Sequence, residues 1–280
     1  MEKIRSSSLT PELVKSINEM LEATHDLNKI CTKLKLNDTQ QAEARRLLFE
    51  KIKEEKRKGG NNVNKVSICF LLDGTGSMDP YIKMARIVVD KLMDEVINKF
   101  TNYEIYFGIV VYRDFDKAEK SFDTLNFTNQ KEKVQTFLDG IECSGGKDAP
   151  EDIFGGFQKM LELDWKEGGI NLLFHIADCP CHGTKFHDLE DSFPKAQSES
   201  DWEKLFTPAR QQFRINYFFL EINKKATEKM CNIFRELWYK IEIPTKITKS
   251  TYKVQEITKD VSEFFNILMN SIIQSVSTAY

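Results

Sequence analysis

Apolar positions fall into two regimes along the chain, and the change comes near residue 60. From Thr10 to Leu34 they recur at helical spacing: Leu13, Ile17, Met20, Leu21, Leu27, Ile30, Cys31 and Leu34 form one stripe. Thr10 is a cap and Pro11 suits the first helical position, which predicts a helix over 10–35. Asn37-Asp38 breaks the stripe, and the Asp38–Gln41 spacing predicts a capping box opening a second helix over 39–58. Gly59-Gly60-Asn61-Asn62 predicts a hinge. Residues 1–60 therefore read as a helical hairpin or extension, too short to bury an independent core.

Beyond the hinge, short apolar runs alternate with amphipathic stretches. Val66–Leu72 is apolar except for Ser67 and reads as a buried strand, as do 103–112, 170–177 and 215–220. Residues 125–127 predict a short edge strand and 239–243 the last strand. Helical spacing marks 81–100, 131–138, 151–163, 202–211, 226–238 and 259–276. Strands apolar on both faces, separated by helices, predict an α/β fold with a doubly wound, mostly parallel sheet over 61–280.

Charge and composition narrow the function classes. The net charge is −3, which is not the footprint of a general nucleic-acid binder. It is unevenly spread: residues 1–60 hold 13 Lys/Arg against 10 Asp/Glu, concentrated over Lys51–Lys58, and the remainder is acidic. No apolar stretch approaches the roughly 18 residues of a membrane span, and no secretory signal is visible at the N-terminus. Six cysteines in 280 residues are too sparse for a disulfide scaffold, so a cytoplasmic location is expected.

Candidate chemistry gathers at strand ends, where ligands bind in open α/β sheets. Val66–Leu72 runs into Asp73, and 170–177 runs into Asp178. Asp73, Thr75 and Ser77 place three oxygens at alternate positions in the Gly-rich turn DGTGSM, a pattern suited to a hard cation such as Mg²⁺. A capped strand-to-helix turn explains the same residues without a metal. The turn is no phosphate loop, since no Lys follows the glycines, and no dinucleotide fingerprint, since a third glycine is missing. It is no DxDGT phosphatase either: Leu71 stands where the nucleophilic Asp is needed. The loop SGGKDAPED adds Asp148 before a helix. The segment ADCPCHGTKFH offers Asp178, Cys179, Cys181, His182 and His187, but not at structural-zinc spacing. His175, inside a strand, reads as a core histidine.

LLDGTGSM, SGGKDAPED and IADCPCHG together resemble a von Willebrand factor type A domain, and more closely the A domain found in some alpha-kinase proteins. The resemblance spans roughly 65–275. It implies a six-stranded sheet with one antiparallel edge strand and a metal-ion-dependent adhesion site. Asp73, Thr75 and Ser77 match its first-loop ligands and Asp178 its last-loop aspartate. Asp148 stands where the adhesion form carries threonine. Three carboxylates around a divalent ion leave about −1, which weakens the pull on a partner carboxylate.

The implied function is a divalent-metal-dependent protein–protein interaction module, a scaffold or adaptor that binds Mg²⁺, or Mn²⁺ or Ca²⁺ in its place. Its protein partner would meet the metal rim, through a carboxylate or through Met78, Tyr81, Lys147, Cys181 and His182. Mg²⁺-dependent phosphoryl transfer or hydrolysis is the enzymatic alternative; the sequence lacks an evident phosphate cradle, nucleophile and base. A structural assembly protein with a vestigial site is the third reading. No alpha-kinase catalytic domain is expected in these residues, nor a nucleic-acid or membrane-spanning role.

Overall fold

A computed structural model describes residues 9–23, 30, 33–37, 40–41, 44, 64–115, 121–166, 168–243 and 250–278. The chain divides into two compact units, Met1–Val63 and Asn64–Tyr280. In the first, helix α1 (Pro11–Ala23) begins as predicted, with Leu13 N–H donating to Thr10 Oγ1. Leu9, Ile17, Ile30, Leu36 and Ala44 are buried together. The second helix opens one residue earlier than expected: Asn37 and Gln40 exchange side-chain-to-backbone hydrogen bonds, the reciprocal box assigned to Asp38 and Gln41. Most of that helix, the basic run and the Gly-rich hinge lie outside the described residues.

The second unit holds strands β1 (Asn64–Asp73), β2 (Tyr103–Tyr112), β3 (Phe122–Thr128), β4 (Ile170–Ala177), β5 (Asn216–Glu221) and β6 (Tyr252–Glu256). Its helices are α2 (Asp79–Lys99), α3 (Lys131–Asp139), α4 (Ile153–Leu161), α5 (Glu199–Gln211), α6 (Lys224–Lys240) and α7 (Val261–Ser277). One sheet runs in the order β3-β2-β1-β4-β5-β6. Only β3 is antiparallel to its neighbour. The fold is thus the doubly wound, mostly parallel sheet that the apolar runs predict.

Alternate residues of the central strands feed two separate cores. Val66, Ile68, Phe70 and Leu72 of β1 pack with α2, α3 and α7. Cys69 and Leu71 face the aromatic core of α4, α5 and α6, built around Phe157, Trp202, Phe206, Tyr217 and Trp238. Within that core His175 is satisfied as expected. Its ring nitrogens lie 2.9 Å from Tyr112 Oη and 2.8 Å from Tyr217 Oη.

The last strand corrects the sequence reading. Residues 239–240 continue α6, whose buried face includes Leu237 and Trp238, and the strand is Tyr252–Glu256. As an edge strand it alternates Tyr252 and Val254 with Lys253 and Gln255, so it lacks the continuous apolar run of the central strands. No described helix is long and apolar enough to cross a membrane.

Candidate metal centre

Strand order reverses between β1 and β4, and the carboxyl ends of these two strands carry Asp73 and Asp178. The loop after β1 is pinned on both sides. Gly74 N–H donates to Tyr112 O at 2.8 Å, and Ser144 N–H donates to Gly74 O at 3.0 Å. A side chain at Gly74 would collide with Val111, its Cβ only 2.5 Å from Cγ1, which is why glycine follows the aspartate. Asp73 Oδ1 accepts from Thr75 N–H at 2.8 Å and from Thr75 Oγ1 at 2.7 Å. Asp73 and Thr75 are buried, and Ser77 is exposed.

The middle loop behaves differently from expectation. Gly146 has φ +80°, and a Cβ there would lie 2.9 Å from Glu151 Oε1 and 3.5 Å from Thr75 Cβ. Glycine is needed for both reasons. The side chain that fills this space is Glu151, not singled out from the sequence. Asp152 caps α4 by accepting from Gly155 N–H at 2.8 Å. Glu151 is thereby freed from helix capping and bridges to the β4 loop, its N–H donating to Pro180 O. Asp148 turns toward the 182–192 segment, with Oδ2 accepting from Ser192 N–H at 2.6 Å.

Four carboxylate oxygens are buried here with no hydrogen-bond partner among the described residues: Asp73 Oδ2, Asp148 Oδ1, Glu151 Oε2 and Asp178 Oδ1. Burial pushes the Asp73 carboxyl up to about 7, with Asp178 adding to the rise; Thr75 and Arg113 oppose it. Burial also raises Glu151, to about 11, reinforced by Asp73, Asp114, Asp178 and Asp148. The arrangement concentrates hard anionic acceptors and withholds donors from them, which suits a bound cation.

Burial corrects the expected contact rim. Met78 is fully enclosed in the core beneath α2, Cys181 in the aromatic core, and His182 between Asp114 and Asp191. None of the three is available to a partner. Lys147 is exposed and Tyr81 half-buried. In the segment that follows β4, the large apolar side chains Phe193 and Leu189 are 42% and 40% exposed. The cysteines do not assemble a zinc site with the histidines: Cys181 N–H donates to Met230 Sδ, and Cys179 is hydrogen-bonded to Asp178. Asp148, His182 and Asp191 instead bring one ligand-type atom each to within 4.8 Å of one another.

The family model of the von Willebrand factor A domain matches residues 67–191, which contain every residue of this centre. The chain carries a von Willebrand factor A domain. It is 33% identical over 215 residues to an alpha-protein kinase, vwkA, of Dictyostelium discoideum. The match takes in 76% of this chain and 33% of the relative, so the chain spans about a third of that protein's length. Among solved structures, the A domain is similar to the pilus adhesin SpaC of Lactobacillus rhamnosus GG in its open conformation. That likeness has a TM-score of 0.52 at 14% identity over 76% of this chain and 30% of the adhesin. A second form of the same adhesin gives 0.53 at 12% identity, over 76% and 31%. At such identities the likeness is one of fold.

Proposed function

We propose that this A domain is a divalent-metal-dependent protein–protein interaction module serving as a scaffold or adaptor. In this reading Asp73, Thr75, Ser77 and Asp178 hold Mg²⁺, or Mn²⁺ or Ca²⁺, with Asp148 joining directly or through water. The observation that carries it is the set of buried carboxylate oxygens of Asp73, Glu151 and Asp178 that meet no donor among the described residues, at the switch point of the sheet. The ion, when bound, supplies the positive charge these oxygens lack and an open coordination position for a water or partner oxygen. Arg113 is held by Glu142 O at 2.7 Å and Asp123 at 2.8 Å, and contributes cationic charge toward Asp73.

Glu151 changes the expected partner. A further carboxylate beside the ion's pocket reduces the attraction for an acidic partner group. Affinity then comes from contacts around the ion, and exposed Phe193, Leu189 and Lys147 with half-buried Tyr81 supply them. The catalytic alternative draws no support from the cavity at the amino ends of β4, β5 and β6. That cavity, of about 710 Å³, is lined by Lys166, Asn171, Arg214 and Lys253 and by none of the site carboxylates.

Calorimetric titration should show one equivalent of Mg²⁺ bound by the wild-type chain and none by D73A. Affinity capture in Mg²⁺ should retain a protein partner that is lost in EDTA and in D73A. Full retention in EDTA would instead make the site structural or vestigial.

A further inference from the structure

His182 is fully buried, and each of its ring nitrogens faces a carboxylate oxygen. Nε2 lies 2.8 Å from Asp114 Oδ1, and Nδ1 lies 2.8 Å from Asp191 Oδ1. A neutral imidazole has one N–H and one lone pair. If Nε2 donates to Asp114, the Nδ1 lone pair points at an anionic oxygen at hydrogen-bond distance. A cation must join them, and it is either a second proton on the 2.8 Å line or a metal ion seated to one side of it.

The surroundings favour the metal. A proton on Nδ1 would satisfy Asp191 but leave Asp148 Oδ1 buried and donorless. An ion would satisfy all three groups, whose ligand atoms lie within 4.8 Å of one another. The outer oxygens are already fixed by backbone donors: Asp148 Oδ2 by Ser192 N–H at 2.6 Å and Asp191 Oδ2 by Gly183 N–H at 2.8 Å. Asp191 Oδ1 also accepts from Phe193 N–H at 2.7 Å. Asp114, on the far nitrogen, completes the carboxylate–histidine–metal order that sets ring tautomer and basicity. Phe115 stacks on the imidazole at 4.9 Å and Phe193 meets it edge-on at 5.1 Å, which fixes the ring plane.

We propose that Asp148, His182 and Asp191 form a second metal site, with Asp114 positioning the histidine, that takes a transition ion of the Zn²⁺ class. One imidazole and two carboxylates suit such an ion better than Mg²⁺, which favours oxygen and water. Asp148 is the one residue that both readings use; Asp73, Thr75, Ser77 and Asp178 are not part of the second site, so D73A tells the two apart.

The test is calorimetric titration of Zn²⁺ into the full chain saturated with Mg²⁺. One equivalent of Zn²⁺ is expected to bind. D114N should lower its affinity about 10–100-fold and D191N at least as much, whereas D73A should leave Zn²⁺ binding unchanged. Anomalous diffraction at the zinc edge from wild-type crystals needs no substitution and should place the ion on His182 Nδ1. Absence of Zn²⁺ uptake, a zinc peak away from His182, or equal loss of Zn²⁺ in D73A overturns the proposal. Loss of Mg²⁺ binding with Zn²⁺ uptake intact would overturn only the first site.

Discussion

Glu151 meets no donor at Oε2 and is surrounded by Asp73, Asp114, Asp178 and Asp148, so folding at neutral pH without a cation forces it to take up a proton. Glu151→Gln removes that requirement. In EDTA the variant should be more stable than wild type by about 1–3 kcal/mol in denaturant titration, and saturating Mg²⁺ should narrow the gap. His175 gives the opposite pH signature to a paired histidine. Burial lowers it from 6.5 to about 3, so the unfolded chain binds the proton first as pH falls. The stability that His175 contributes is therefore full above pH 6.5 and declines toward pH 3, by up to about 1.4 kcal/mol per pH unit. Asp73 and Glu151 titrate in the opposite sense without a cation, so the decline is read as a difference: between pH 7 and pH 5 in saturating Mg²⁺, wild type should lose more stability than His175→Asn. At this scale Asp73 and Asp178 were legible because each ends a strongly apolar strand. Glu151 was not, because an acidic residue beside a helix start reads as a cap, and only the structure shows Asp152 taking that role. Asp114 was within reach of the same strand-end reasoning, lying two residues beyond β2.

Helix α4 is held against β2 through Gly156, where a Cβ would stand 2.8 Å from Tyr112 Cβ. Gly156→Ala must displace the helix that follows the Asp148–Glu151 loop, and should cost about 1–3 kcal/mol in urea unfolding. Ser198→Ala tests a different element by the same measurement. Ser198 and Asp201 form a full capping box at the start of α5, and losing it should cost about 1 kcal/mol without altering metal affinity. The central strands were readable from sequence because burial on both faces leaves a continuous apolar run. β6 was not, because an edge strand keeps one face polar and its alternation is short. The 179–193 segment carries both His182 and Asp191, yet Asp148 and Asp114 come from separate loops, and no spacing along the chain announces them.

For the molecule as a whole, an ion bound only in the folded state adds stability by mass action, about 2.7 kcal/mol at a hundredfold excess over Kd. Thermal unfolding should rise with Mg²⁺ in wild type and be unresponsive in D73A. Replacing Leu189 and Phe193 together by Ser should weaken partner capture while leaving Mg²⁺ affinity intact, since neither supplies a ligand atom to the first site. The strand order also governs how the chain is made. β1 pairs with β2 on one side, Val66 beside Ile105, but its other side waits for β4, where Val66 meets Ile170. At ribosomal speeds of about 5–20 residues per second, that edge stays open for roughly 5–20 s. Val66–Leu72 is nearly all apolar, so the nascent chain exposes an adhesive strand edge throughout the interval. A chain ending before β4 should aggregate where the whole domain remains soluble. The segment that becomes the most enclosed in the finished sheet is, during synthesis, the one most in need of a chaperone.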